Sequence, residues 1–188
     1  MAIVGLRNLH YAKLTKDDAT GVTYGTPVAV PGVISADIKP GSNSATLYAD
    51  DGPYETDTVL GDIGVTIDMA DLGPTIAADL LGHTVTGGVM TKKSTDKSPY
   101  VAIMFESVKS NGKIRYKKLL KGKFQEPEEN TKTKDDKVNF QTAKLEGKFV
   151  IRQNDSAWDR TADEDAEGYT AAVGTGWYTA VEPTAPTV

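Results

Sequence analysis

From residue 59 to residue 69 the chain alternates. Val59, Ile63, Val65, Ile67 and Met69 are apolar, Gly61 interrupts them, and Asp62, Gly64, Thr66 and Asp68 between them are small or polar. Successive side chains of a strand point to opposite faces, so this is a strand with one dry and one wet face. The rest of the chain must supply a sheet to pair it and a layer to cover it. The stretch before it, residues 42–57, ends in Asp50-Asp51-Gly52-Pro53-Tyr54-Glu55-Thr56-Asp57, with four acids and two strand breakers. Such a segment buries little and is expected to project from the domain as a loop.

Other stretches read as strands around this one. Residues 4–14 form a first strand whose buried face is ambiguous, because apolar residues fall on both parities. Residues 28–38 form a second, interrupted at Pro31-Gly32, as at an edge or a bulge. Residues 71–82 predict a short helix, with Pro74 near its start, Ile76, Leu80 and Leu81 at helical spacing, and Gly82 at its end. The strongest local signal lies in residues 99–123, where two strand-like runs flank Asn111-Gly112, the favoured two-residue hairpin turn. Residues 125–137 contain no apolar side chain and are expected to form a second exposed loop. Residues 138–153 return to strand, and beyond residue 154 the pattern fades. The expected organisation is one β domain over residues 1–154, with loops at 42–57 and 125–137, and a C-terminal arm or tail over 155–188.

Composition excludes several functions. With 188 residues, 39% hydrophobic and 25% charged, the chain suits one soluble domain. Its longest apolar run, residues 100–105, is far short of a membrane span, and no signal-peptide core opens it, so synthesis in the cytoplasm and no membrane partner are expected. Without cysteine there are no disulfides, thiolate nucleophiles or zinc-thiolate sites. Neither His10 nor His83 has a nearby serine in a nucleophile motif. Nucleotide-binding glycine loops and the metalloprotease helix motif are also missing, so no enzyme activity, cofactor or metal is expected. The paired acids at Asp17-Asp18, Asp50-Asp51, Asp135-Asp136 and residues 163–165 lack the calcium-loop pattern and read as solvated charge.

Charge is nonetheless unevenly placed within the net −5. Lys109, Lys113, Arg115, Lys117, Lys118, Lys121 and Lys123 meet only Glu106 over the hairpin, whereas residues 151–188 hold seven acids against Arg152 and Arg160. Complementary patches on one chain suit head-to-tail self-association, with a plain solvated face as the alternative for the hairpin. Trp158 and Trp177 lie in the weakly patterned C-terminal region and must dock on something, either the subunit's own core or a neighbour.

Four segments carry a family likeness: GLRNLHYAKL at residues 5–14, NSATLYADDGP at 43–53, DLLGH at 79–83 and SNGKIRYKKLLKGKFQEPEE at 110–129. In these the chain resembles the major tail proteins, or tail-tube subunits, of long-tailed phages of Gram-positive bacteria. The resemblance implies a mainly β fold, a β-sandwich of the phage tail-tube type with one short flanking helix, extended loops and terminal arms. It also implies a structural virion protein of the tail, made in the host cytoplasm, with no enzymatic activity. Such subunits close into hexameric rings that stack into a hollow tube and work with tail-tip or initiator, tape-measure and tail-terminator proteins. DNA transits the lumen during genome ejection without specific binding.

Assembly surfaces are the only sites this implies. The interface candidates are Tyr48, Asp50, Asp51, Pro53, Tyr54, Glu55 and Asp57 on the projecting segment, Lys117 and Lys121 on the basic hairpin, and Trp158 and Trp177 near the C-terminus. Asp62 and Asp68, on the wet face of the alternating strand, are lumen candidates, because a bore that neutralised phosphates would hold DNA rather than pass it. The rival reading is a monomeric or low-order β-domain module that applies the same loops to a foreign partner.

Overall fold

The computed structural model describes residues 2–129, 133 and 142–182. β1 (Ile3–Asp18) turns at Ala19-Thr20 into β2 (Gly21–Tyr24). The ambiguous face of β1 has a structural cause. Asn8 adopts a left-handed backbone (φ 56°), and a bulge lets β1 advance from Arg7 to His10 while its partner advances only from Glu106 to Met104. The bulge inverts parity, so Leu6 before it and Leu9 and Tyr11 after it all reach the main core. β3 (Val28–Ala29) pairs with β1, and the break at Pro31-Gly32, with Gly32 at φ 81°, releases the chain to another sheet edge.

There β4 (Val33–Ala49) and β5 (Gly52–Met69) form a long antiparallel hairpin, paired from Val33 opposite Met69 to Ala49 opposite Gly52 with irregularities after Val33, Pro40 and Leu47. The expected loop over residues 42–57 is thus a paired ribbon. Asp50 (φ 49°) and Asp51 (φ 61°) both take the left-handed conformation that a tight two-residue turn demands, and Thr46, Tyr48, Tyr54, Thr56 and Thr58 favour the extended arms. The alternation in β5 works from Ile63 onward. Ile63, Val65, Ile67 and Met69 are buried, Asp62 is exposed, and Val59 lies outside the core on the ribbon.

α1 (Pro74–Leu81) matches the expected helix, with proline in its first turn and Gly82 closing it at φ 82°. A Cβ on Gly82 would also strike the carbonyl oxygen of Lys97. Ala77, Leu80 and Leu81 enter the core, and Asp79 fastens the helix to β1 by accepting from Tyr11 Oη at 2.7 Å and Lys13 Nζ at 2.6 Å. β6 (Thr84–Thr86) and β7 (Val89–Thr91) make a small hairpin. β8 (Val101–Lys109) and β9 (Ile114–Phe124) are the predicted hairpin, but its loop has three residues. Gly112 N donates to Lys109 O at 2.9 Å, Gly112 sits at φ 79°, and Lys109 N donates to Lys113 O. Only glycine takes that last loop position without strain.

β10 (Ala143–Phe149) follows the second expected loop, of which only residues 125–129 and 133 are described. β11 (Asp159–Asp163) and α2 (Ala171–Gly176) complete the described elements. The sheet order is β2-β1-β8-β9-β10-β5-β4, all antiparallel, with β11 added along β9. Ile3 pairs with Lys109, β11 runs beside β9, and Ala157, Tyr178 and Val181 lie across the back of β1, β8 and β9. That layer places Val181, Tyr178 and Ala157 against Ala12, Ala102, Met104 and Leu120. Covered on both faces, β8 is apolar throughout residues 101–105.

The main core lies between the two halves of the sheet: Leu9, Tyr11, Ile103 and Leu119 on one side, and Ile63, Val65, Ile67, Met69 and Leu145 on the other. The arrangement is a β-sandwich with one flanking helix. β9 serves both layers. It advances three residues, from Leu119 to Gly122, while β8 advances two, and its last residues then pair with β10. At that junction Phe149 lies opposite Gly122 and Phe124 opposite Gly147, with the two rings edge to face at 5.8 Å. A Cβ on Gly122 would sit 2.3 Å from the Phe149 ring, and one on Gly147 would sit 2.7 Å from Phe124. Gly122→Ala is therefore expected to cost about 3 kcal/mol of folding stability through overpacking, read as a lowered midpoint in denaturant unfolding.

Candidate functional site

The projecting ribbon follows from the register of β4 and β5. Beyond Ile63 it leaves β10 behind, and no side chain between residues 42 and 60 is buried. One face carries the pairs Ser44–Thr58 and Thr46–Thr56, the latter with hydroxyls 3.2 Å apart, together with Leu60 and Tyr48. The other carries Asn43–Val59, Ala45–Asp57 and Leu47–Glu55. Tyr48 and Tyr54, at 70% and 73% exposure, flank the Asp50-Asp51 turn, and Leu47 and Val59 are also largely exposed. Both arms of the ribbon therefore offer backbone edges and large apolar side chains together. A two-stranded ribbon without a core is marginal in water, and free edges favour pairing with another chain.

The basic hairpin is not a free patch. Lys109 is buried between the carboxylates of Asp163 and Asp165, Arg115 reaches Asp163 at 2.9 Å, and Lys117 reaches Asp159 at 3.1 Å. Lys121 pairs with Asp17 at 2.6 Å, and Asp17 also accepts from the backbone N–H of Gln153 and Asn154. The complementarity between hairpin and C-terminal acids is thus satisfied within the chain. The ion pair with Lys109 leads the causes that hold the Asp163 carboxyl well below the usual carboxylate range.

Farther along the same layer, Arg152 is fully buried and binds Asp155 and Glu182, with Tyr24 Oη at 3.3 Å, while Arg160 meets Glu182 at 2.9 Å. Lys118 is only 4% exposed. It donates to the carbonyl oxygens of Ala180 and Val181 at 2.8 and 3.1 Å and lies 4.4 Å from the centre of the Trp177 ring. Burial pushes its ammonium pKa down to about 8, helped by the nearby Arg160 charge. Sequence alone shows complementary charges but not that they meet within one chain, because partners such as Lys109 and Asp163 are far apart.

These observations describe a sandwich with an unsupported ribbon, a self-satisfied charged back, and, among the described residues, no cluster able to hold a metal ion. A family model described as phage tail tube protein matches residues 1–171. The chain belongs to the phage tail tube family. Membership makes it a structural protein of the virion tail, a major tail protein in a family that is not an enzyme family. No curated protein matches closely enough to add a relative to that assignment.

Within this family member the sequence candidates separate by place. Tyr48, Asp50, Asp51, Pro53, Tyr54, Glu55 and Asp57 come together, exposed, at the end of the ribbon. Lys117 and Lys121 are engaged by Asp159 and Asp17 of their own chain. Trp158 is half-buried against the main core, and Trp177, 7% exposed, packs on Tyr116 and Lys118. Asp62 is exposed and pairs with Lys148 at 3.1 Å, and Asp68 accepts from Ser35 Oγ at 2.9 Å on the same wet face.

The Arg152 cluster is what secures the C-terminal layer. Arg152→Met removes the buried guanidinium from Asp155 and leaves Glu182 to Arg160 alone, and is expected to cost about 3 kcal/mol. In a Trp158→Phe background, Trp177 emission should shift to longer wavelength as the layer loosens.

Proposed function

We propose that this subunit closes with copies of itself into hexameric rings, and that the rings stack into a hollow tube through which DNA is delivered to the host cell. The observation that carries the reading is the ribbon over residues 42–60. It exposes Leu47, Tyr48, Tyr54, Val59 and Leu60 with two open backbone edges and no core of its own. A neighbouring subunit or ring supplies the missing cover, pairing with an edge and burying the aromatic tip. Tail-tip, tape-measure and tail-terminator proteins are the partners that start, measure and end such a tube.

Replacing residues 43–59 with an Asn-Gly turn should leave the cooperative melt of the sandwich in place and abolish tubes seen by negative-stain microscopy, with the tail-tip initiator supplied. A module built for a foreign partner would instead stay monodisperse at every concentration, with or without the ribbon.

We assign the lumen to the wet face of β4, β5 and β10. Cross-strand register places Asp37, Asp62, Asp68 and Glu146 there with Lys39, Lys144 and Lys148, a face without excess positive charge. Lys109, Arg115, Lys117 and Lys121 of the β8–β9 hairpin are paired with acids of their own chain, which lowers the pull of that layer on phosphates. Asp62→Lys with Asp68→Lys should leave tubes intact and slow genome ejection from assembled particles, measured by dye uptake on released DNA.

A further inference from the structure

A cluster of titratable side chains around His83 lies apart from both the ribbon and the charged back layer. His83 follows the Gly82 cap of α1 and is 6% exposed. Its Nδ1 lies 2.8 Å from Asp96 Oδ2 and its Nε2 lies 2.9 Å from Glu126 Oε2. The two carboxylates come from different segments: Asp96 from the connection between β7 and β8, and Glu126 from the chain leaving β9. Glu126 is also bound by Lys92, which reaches Glu129 at 2.9 Å.

A neutral imidazole has one N–H and one lone pair, so it can satisfy one of these carboxylates while turning a lone pair toward the other. The imidazolium satisfies both. We infer that His83 is a pH-sensitive latch that fastens the exit of β9 to the helix end and to the β7–β8 connection while it is protonated, and releases Glu126 when it is not. Asp96 is the carboxylate that stays bound, because it is the more buried and also accepts from Lys93 N at 2.9 Å. The charged groups around the ring are Asp96 and Lys93 from the connection, Glu126 and Glu129 from the β9 exit, and Lys92 from the end of β7. Lys97 adds its carbonyl, packed against Gly82.

The hydrogen bond to Asp96, opposed by burial and supported by Glu126, raises the His83 pKa above its ordinary value. The sign follows. A group whose folded pKa is raised stabilises fully below the unfolded value and loses that contribution as pH rises through the folded one. The latch is closed in acid and opens as pH rises through the raised His83 pKa.

Two readouts test this. Proton–nitrogen correlation spectra of histidine-labelled protein should show His83, identified by its loss in His83→Gln, with both ring nitrogens protonated at about pH 6, below the ordinary histidine value. Amide exchange at Glu126, Glu128 and Glu129, corrected for intrinsic pH dependence, should rise about tenfold between about pH 6 and about pH 9. Lys92→Met should keep that response. Glu126→Gln, at a half-exposed side chain, should be fast at both pH values even if His83→Gln does not fold. A neutral His83 throughout, or a wild-type pH response in His83→Gln or Glu126→Gln, overturns the latch.

Discussion

Everything in this subunit hangs on the short ladder where β9 passes from one layer to the other. Phe149 over Gly122 and Phe124 over Gly147 are reciprocal: each ring fills the space that the opposite glycine leaves empty. Backbones can cross this closely only where no Cβ stands between strand and ring. The bulge between Leu119 and Gly122 rotates β9 just before that point, so its early residues serve β8 and β11 and its late residues serve β10. The direction in which the β4–β5 ribbon leaves the sandwich is inherited from these few residues.

The charged back layer shows how a poorly patterned segment can still be ordered. The apolar side chains of residues 155–182 follow no strand or helix period, yet Val181 and Tyr178 cover Met104 and Ala102. The carboxylates of this segment take up the cations of the hairpin. A covalently attached partner is present at high effective concentration, so an internal acid outcompetes one on another molecule for the same lysine. Buried ion pairs return little net stability after desolvation but penalise every misregistered alternative. Pairing also removes the positive face that would otherwise hold nucleic acid.

The ribbon has the opposite character. It spends residues 42–60 on structure that buries nothing within the subunit and leaves its edges open. Such geometry costs ordering entropy without an internal return, so its stability has to come from contacts outside the subunit. In a tail tube protein those contacts are with other tail subunits.

Several parts of this structure were legible because their causes are local. The alternation from Ile63 to Met69, the proline and glycine that bound α1, and the Asn111-Gly112 turn each express short-range sterics or strand periodicity. Asp50-Asp51 was local too, but acids beside Gly-Pro read as a loop, although two residues with positive φ are what a tight hairpin needs. The bulges at Asn8 and before Gly122 were not legible, since each inverts parity only in relation to a partner strand. Nor was the destination of the charges, because Lys109 and Asp163 are 54 residues apart and a sequence does not say whether complementary patches meet within a chain or between chains. The sequence by itself determined a mainly β chain with a projecting segment, since periodicity and turn chemistry act over a few residues. Only the tertiary structure decided which face was buried, where the C-terminal layer lay and which cations remained free, because those depend on strands meeting across the whole length of the fold.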